Sequence, residues 1–181
     1  NILTFLEFGE EHGTPYLVME LIEGGVLSSR LGRPLPPQDA IAIARQIGAA
    51  LDYAHSQGII HRDVKPANIF LKGPGTPAQQ VAVLADFGIA KVFGELGPKL
   101  TQTGIGIGTP EYTAPEQAVG DPLDGRSDLY ALGVVLYEML TGKPPYQGAT
   151  LDVVSAHVQG QLPDPRTRNP ALPPAVGAVL R

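Results

Sequence analysis

The sequence predicts an α+β fold, and three observations predict it. Two short runs rich in Ile, Leu, Phe, Tyr and Val, residues 2–8 and 15–22, flank the polar stretch Gly9-Glu10-Glu11-His12-Gly13. Small or apolar residues at Ala40, Ala44, Ile47, Leu51 and Ala54 step by four, three, four and three, the period of one helix face. Over residues 127–140, apolar side chains occur on every side of a helical wheel.

The first two runs read as a hairpin, because strand-forming residues on either side of a short Gly-containing turn are its signature. Pro36-Pro37 opens the long helix and Gly58 closes it. Proline presets the first helical turn, and glycine accepts the left-handed conformation just past the last one. Three strand-like pieces follow at 59–60, 69–71 and 81–84, separated by polar and Gly/Pro turns. Residues 91–125 lack a period and read as one long ordered loop, which in a compact domain is usually functional. The helix over 127–140, apolar all round, is expected to be buried at the centre. A further helix is predicted through Val153, Val154 and Val158, then a Pro-rich stretch and a last apolar segment from Pro173.

Composition excludes several function classes. With 181 residues, 43% of them hydrophobic, the chain is long enough to bury a core without disulfides, and it has no cysteine for a disulfide, a zinc site or a thiol nucleophile. Thirteen Lys and Arg against 18 Asp and Glu give a net charge of −5, which argues against nucleic acid as a partner. The longest uncharged apolar stretch, 129–137, is far shorter than the roughly 20 residues of a membrane span. No signal-peptide pattern opens the chain, so no membrane contact is expected within it.

The most informative stretch is His61-Arg62-Asp63-Val64-Lys65-Pro66-Ala67-Asn68. It places a carboxylate, an ammonium two residues on and a carboxamide five residues on along one loop. Such a set can orient a hydroxyl, neutralise a phosphoryl oxygen and ligate a divalent cation. The stretch resembles the catalytic loop of bacterial eukaryotic-like (Hanks-type) serine/threonine protein kinases. Asp86-Phe87-Gly88, 23 residues after Asp63 and directly after an apolar strand, resembles the magnesium-binding motif of that family. Residues 108–117, Gly-Thr-Pro-Glu-Tyr-Thr-Ala-Pro-Glu-Gln, resemble the end of its activation segment.

The resemblance implies a protein-kinase-like fold, with residues 1–22 forming the end of the small-lobe sheet and the hinge, and residues 23–181 a truncated large lobe. It implies ATP and Mg2+ as cofactors and proteins with Ser or Thr as substrates. Asp63 is expected to accept or orient the hydroxyl proton, Lys65 to stabilise the transferring phosphoryl group and contact ATP, and Asn68 and Asp86 to hold magnesium. By the same resemblance Met19 borders the adenine pocket, the Glu20 carbonyl and Ile22 amide meet the adenine edge, and Phe70 lies under the base. His61 packs on Phe87 in the interior rather than acting as an acid or base. Asp128 accepts backbone amides from the catalytic loop, and Glu116 awaits an arginine from a later helix.

Thr101 and Thr103 match paired autophosphorylated threonines, whose phosphates would recruit Arg62 and Lys91, and Thr109 is expected to bond near Asp63 and Lys65. Autophosphorylation suggests a homodimer, and the resemblance implies a cytoplasmic kinase domain, in a parent protein that a later membrane helix can tether. Acids that select Arg-containing substrates in this family fall at positions matching Val26, Ala67 and Glu138, so no strong basic preference is expected.

Gly104-Ile105-Gly106-Ile107-Gly108 lacks the spacing and following helix of a phosphate-cradling loop. A family member also carries a Gly-rich loop and a strand lysine before the hinge. The first lysine here is Lys65, so the chain is expected to be a piece of a kinase domain, inactive alone. A catalytically dead binding module is the alternative, though such modules usually lose one of the residues matching Asp63, Asn68 and Asp86. Small-molecule phosphotransferases share the two aspartates but lack the activation-segment motif.

Overall fold

The computed structural model describes residues 1–87 and 109–180. Strand β1 (Phe5–Glu11) pairs antiparallel with β2 (Thr14–Met19), with Glu11 opposite Thr14. The turn is therefore two residues long, not the five expected. His12 (φ 52°) and Gly13 (φ 79°) both take the left-handed backbone that such a turn needs. Each strand is displaced accordingly from its expected span. Residues 1–4 run beside another strand instead: Leu3 N donates to Leu84 O (2.9 Å) and Leu84 N to Asn1 O (2.8 Å).

Helix α1 (Pro37–Ser56) begins at Pro37 and ends where the Ile59 amide folds back onto Ala54 O (2.9 Å). That fold-back corrects the expected strand at 59–60. Its amide caps the helix, no strand among the described residues lies opposite, and Ile59 is exposed. Strands β3 (Ile69–Lys72) and β4 (Val81–Leu84) form a second antiparallel pair, Ile69 opposite Leu84. Gly24 crosses β3 so closely that a Cβ would sit 1.4 Å from Leu71 O, which only glycine permits.

Residues 109–125, expected to be loop, hold a 3-10 turn (Pro110–Tyr112) and the short helix α2 (Pro115–Val119). Prolines at the start of each preset the turn, but pieces this short carry no readable period. Helix α3 (Gly125–Thr141) starts at the cap Asp124, whose side chain accepts from Arg126 N. It is central but not buried all round. Ala131, Val135, Met139 and Leu140 join the core, while Leu129 is 53% exposed. Helix α4 (Thr150–Gln159), a 3-10 turn (Pro165–Thr167) and helix α5 (Pro174–Val179) follow.

The main core lies between α1, α3 and the β3–β4 pair. Ile43, Ile47 and Leu51 of α1 are fully buried against Ile69, Leu71, Leu84 and Met139. Each such side chain contributes about 1.5–3 kcal/mol over leaving it in water. A smaller cluster of Leu3, Ile22, Val83 and Ala85, with Phe70 packed on it, joins the first hairpin's exit to β4.

Candidate active site

The loop at 61–68 is held from beneath by Asp128, in the first turn of α3 and 1% exposed. Its Oδ2 accepts from His61 N (2.8 Å) and its Oδ1 from Arg62 N (2.7 Å). His55 Nε2 bonds the same carboxylate at 2.8 Å. Arg62 is thereby fixed at φ 70°, a region uncommon for a residue with a side chain. His55 reaches Asp128 because residue 125 is glycine; a Cβ there would lie 2.6 Å from His55 Nδ1.

His61 is fully buried and edge-on to Phe87, with ring centroids 4.5 Å apart. Its Nδ1 accepts from Asp63 N (3.2 Å), so Nε2 carries the proton and donates to Ala85 O (2.8 Å). Burial pushes its pKa below the ordinary imidazole value, against the Ala85 carbonyl and the Asp128, Asp63 and Asp86 carboxylates, which pull it up. His61 is thus a neutral strut between the loop and the segment carrying Asp86.

Asp63, Lys65 and Asn68 come together above this strut. Lys65 Nζ lies 2.7 Å from Asp63 Oδ2. Asn68 Nδ2 donates to Asp63 O (2.9 Å) and to Asp63 Oδ2 (3.0 Å). That orientation turns the Asn68 Oδ1 away from Asp63, and no described residue donates to it. Ala85 N donates to Asn68 O (2.9 Å), which sets the next residue, Asp86, beside Asn68. Asp86 takes φ 64° and exposes its carboxylate, with no ion pair to a described residue. Two hard-oxygen donors that no described residue occupies suit a cation that draws its remaining ligands from phosphate or water. Among the described residues, no group of three or more His, Cys, Asp or Glu could hold a metal by itself.

At the other end of the site, Ile22 is buried and Phe70 packs beside it. Glu20 N donates to Thr4 O (3.1 Å), and its carboxylate pairs with Lys72 (2.9 Å). The Lys72 hydrogen bond draws the Glu20 pKa below the usual carboxylate value, ahead of a contrary desolvation and a smaller aid from Thr4 N. Met19 is 39% exposed at the end of β2.

Several residues sit otherwise than expected. Thr109 is exposed, and its side chain bonds neither Asp63 nor Lys65. Glu116 has a partner already: Ser127 Oγ donates to it at 2.5 Å. Glu138 is buried and accepts from Tyr112 Oη (2.6 Å); burial raises its pKa, with the Tyr112 bond opposing. Lys91, Thr101, Thr103 and the glycines at 104–108 lie outside the described residues. Sequence reasoning missed His55 and also Gln117, whose Nε2 donates to Arg62 O (2.8 Å).

A profile of the protein kinase domain matches residues 1–170. The chain belongs to the protein kinase family. It is 46% identical over 182 residues to the serine/threonine-protein kinase PknE of Mycobacterium tuberculosis, covering 99% of this chain and 31% of that protein. It is 43% identical to PknH of Mycobacterium bovis over 183 residues, 99% of this chain and 30% of that protein. The chain thus spans about a third of the length of the curated relatives it matches. The crystal structure of a single-site mutant of the Mycobacterium tuberculosis PknI kinase domain superimposes with a TM-score of 0.70 at 31% identity, covering 99% of this chain and 60% of that one. The kinase-like fold expected from the motifs is the fold observed.

Proposed function

We propose that the protein carrying this chain transfers the γ-phosphoryl group of Mg-ATP to Ser or Thr hydroxyls of protein substrates. The observation that carries this reading is the hydrogen-bonded set of Asp63, Lys65 and Asn68, with Asp86 set beside Asn68 through the Ala85 amide. Asp63 takes the proton of the attacking hydroxyl. Lys65, already paired with Asp63, offers positive charge to the phosphoryl oxygens. Asn68 Oδ1 and the Asp86 carboxylate would hold magnesium, which when bound supplies the charge that neutralises the phosphate oxygens. Holding reactants in line and stabilising their charge is most of what catalyses this transfer.

The Glu20 carbonyl, the Ile22 amide, Met19 and Phe70 form the adenine end of the same reading, with residues 1–22 as small-lobe edge and hinge and the rest as large lobe. We place the reaction in the cytoplasm, which supplies ATP. Among the described residues no helix is long and apolar enough to cross a membrane. One copy phosphorylating another at Thr101 and Thr103 belongs to this reading too.

The test is phosphoryl transfer from labelled ATP to a Ser/Thr peptide by the full-length protein. Asp63→Asn is expected to lower kcat by about 10²- to 10⁴-fold, the usual contribution of a positioned base, with the fold intact. Activity within severalfold of wild type would refute the assignment.

A further inference from the structure

Helix α4 carries one side chain that the proposed chemistry does not use. His157 is fully buried, yet it is a titratable polar group on a helix whose neighbouring positions face solvent. Its Nδ1 lies 2.7 Å from Tyr130 Oη of α3. The Tyr130 and Tyr146 rings meet it edge-on, with centroids 5.6 and 4.7 Å away. On its remaining side α4 packs against the 3-10 turn between Thr109 and Thr113, whose Pro110 and Glu111 carbonyls raise the His157 pKa.

We propose that His157 is a positioning residue for the protein substrate: it braces the 110–112 turn against α3 and α4, so that substrate binding depends on it while nucleotide binding does not. The inference rests on the kinase reading above, in which this turn belongs to the segment that admits the substrate.

The bonding supports one arrangement of the ring. Burial pushes the His157 pKa below its ordinary value, against the Glu111 and Pro110 carbonyls and the Glu111 charge, which pull it up. A neutral ring has one proton. Carbonyls only accept, so those of the turn select the tautomer with that proton on Nε2, in which Nδ1 accepts from the Tyr130 hydroxyl. Nε2 is buried and has no hydrogen-bond partner among the described residues. A buried donor left unpaired is a cost to the free protein. A substrate that presses the turn inward completes the bond to a carbonyl and recovers that cost, which couples peptide binding to this imidazole. The catalytic set lies elsewhere: Asp63, Lys65 and Asn68 are joined to one another, and their loop to Asp128, not to α4.

Steady-state kinetics of the full-length kinase with a Ser/Thr peptide test this. His157→Phe keeps a buried ring and loses both nitrogens. We expect the peptide KM to rise about three- to tenfold, the equivalent of one hydrogen bond, with kcat and the KM for ATP within about twofold of wild type. His157→Asn, whose side-chain oxygen can take the place of Nδ1, should recover part of the loss. Tyr130→Phe should raise the peptide KM in the same direction, and combining it with His157→Phe should add little, because the two share one bond. Should His157→Phe fail to fold, Tyr130→Phe carries the test, since it removes a single oxygen.

An unchanged peptide KM in a folded variant, or a joint fall in kcat and ATP affinity, overturns the inference and leaves the kinase reading standing. Absence of transfer by the wild type overturns both.

Discussion

Asp128 shows how one side chain can set the shape of a site it never touches. A carboxylate at 1% exposure would be untenable without partners, and it has three: the amides of His61 and Arg62 and the imidazole of His55. Removing the carboxylate strands the buried His61 amide and the partly buried Arg62 amide, and releases the left-handed backbone at Arg62. Asp128→Ala is therefore expected to cost about 2–5 kcal/mol in urea unfolding, with Asp128→Asn costing less because its amide oxygen still accepts one bond. Equal, small losses for both would show that the loop holds its shape without this anchor. Sequence alone placed Asp128 at a helix start and, through family resemblance, beneath the catalytic loop. Its bond to His55 was not legible, because the two are 73 residues apart and their contact depends on residue 125 having no side chain. The grouping of Asp63, Lys65 and Asn68 was easier to read, since the three lie within one short loop.

Elements were legible where a period was long enough to register. Helix α1 repeats its apolar face turn after turn, and β3 and β4 are bounded by turn residues, so all three fall close to where the pattern puts them. The 3-10 turn at 110–112 and helix α2 were not legible, because each completes barely one turn. Ile59 and Ile60 misled for the opposite reason: their side chains suit a strand, but the backbone was already committed to closing α1. Helix ends follow the chemistry of glycine, and two of them can be compared. Gly142 (φ 83°) ends α3 and Gly160 (φ 68°) ends α4, both left-handed. A Cβ at 142 would sit 3.0 Å from the Arg33 backbone, whereas one at 160 meets no described residue within 4 Å. Gly160→Ala should therefore cost about 1–2 kcal/mol from its backbone alone. Gly142→Ala should cost roughly 1–3 kcal/mol more, because backbone atoms cannot step aside as a side chain would. Thermal unfolding of the two variants checks the difference, and equal shifts would remove the steric part of the argument.

Across the whole molecule, buried titratable groups link the core to pH. His61 and His157 are both fully buried, and burial lowers both of their pKa values. An unfolded histidine takes up its proton near about pH 6.5, while these two stay neutral to lower pH in the folded state. The unfolded chain then binds more protons than the folded one, and stability must fall as pH drops through and below about 6.5. The loss per histidine is at most about 1.4 kcal/mol per pH unit within that window, and it vanishes above it. Glu138 acts in the other direction. Its raised pKa lets the folded state hold a proton that the unfolded state has released, so its contribution grows as pH falls toward the carboxylate range. Comparing wild type with His157→Phe at each pH cancels the Glu138 contribution and isolates one histidine. Urea midpoints measured from about pH 8 to about pH 5 should fall for both proteins, more gently for the variant, so that the difference between them shifts in the variant's favour as pH drops. Parallel curves would mean that His157 takes up its proton as readily folded as unfolded, and that the cavity around it is open to water.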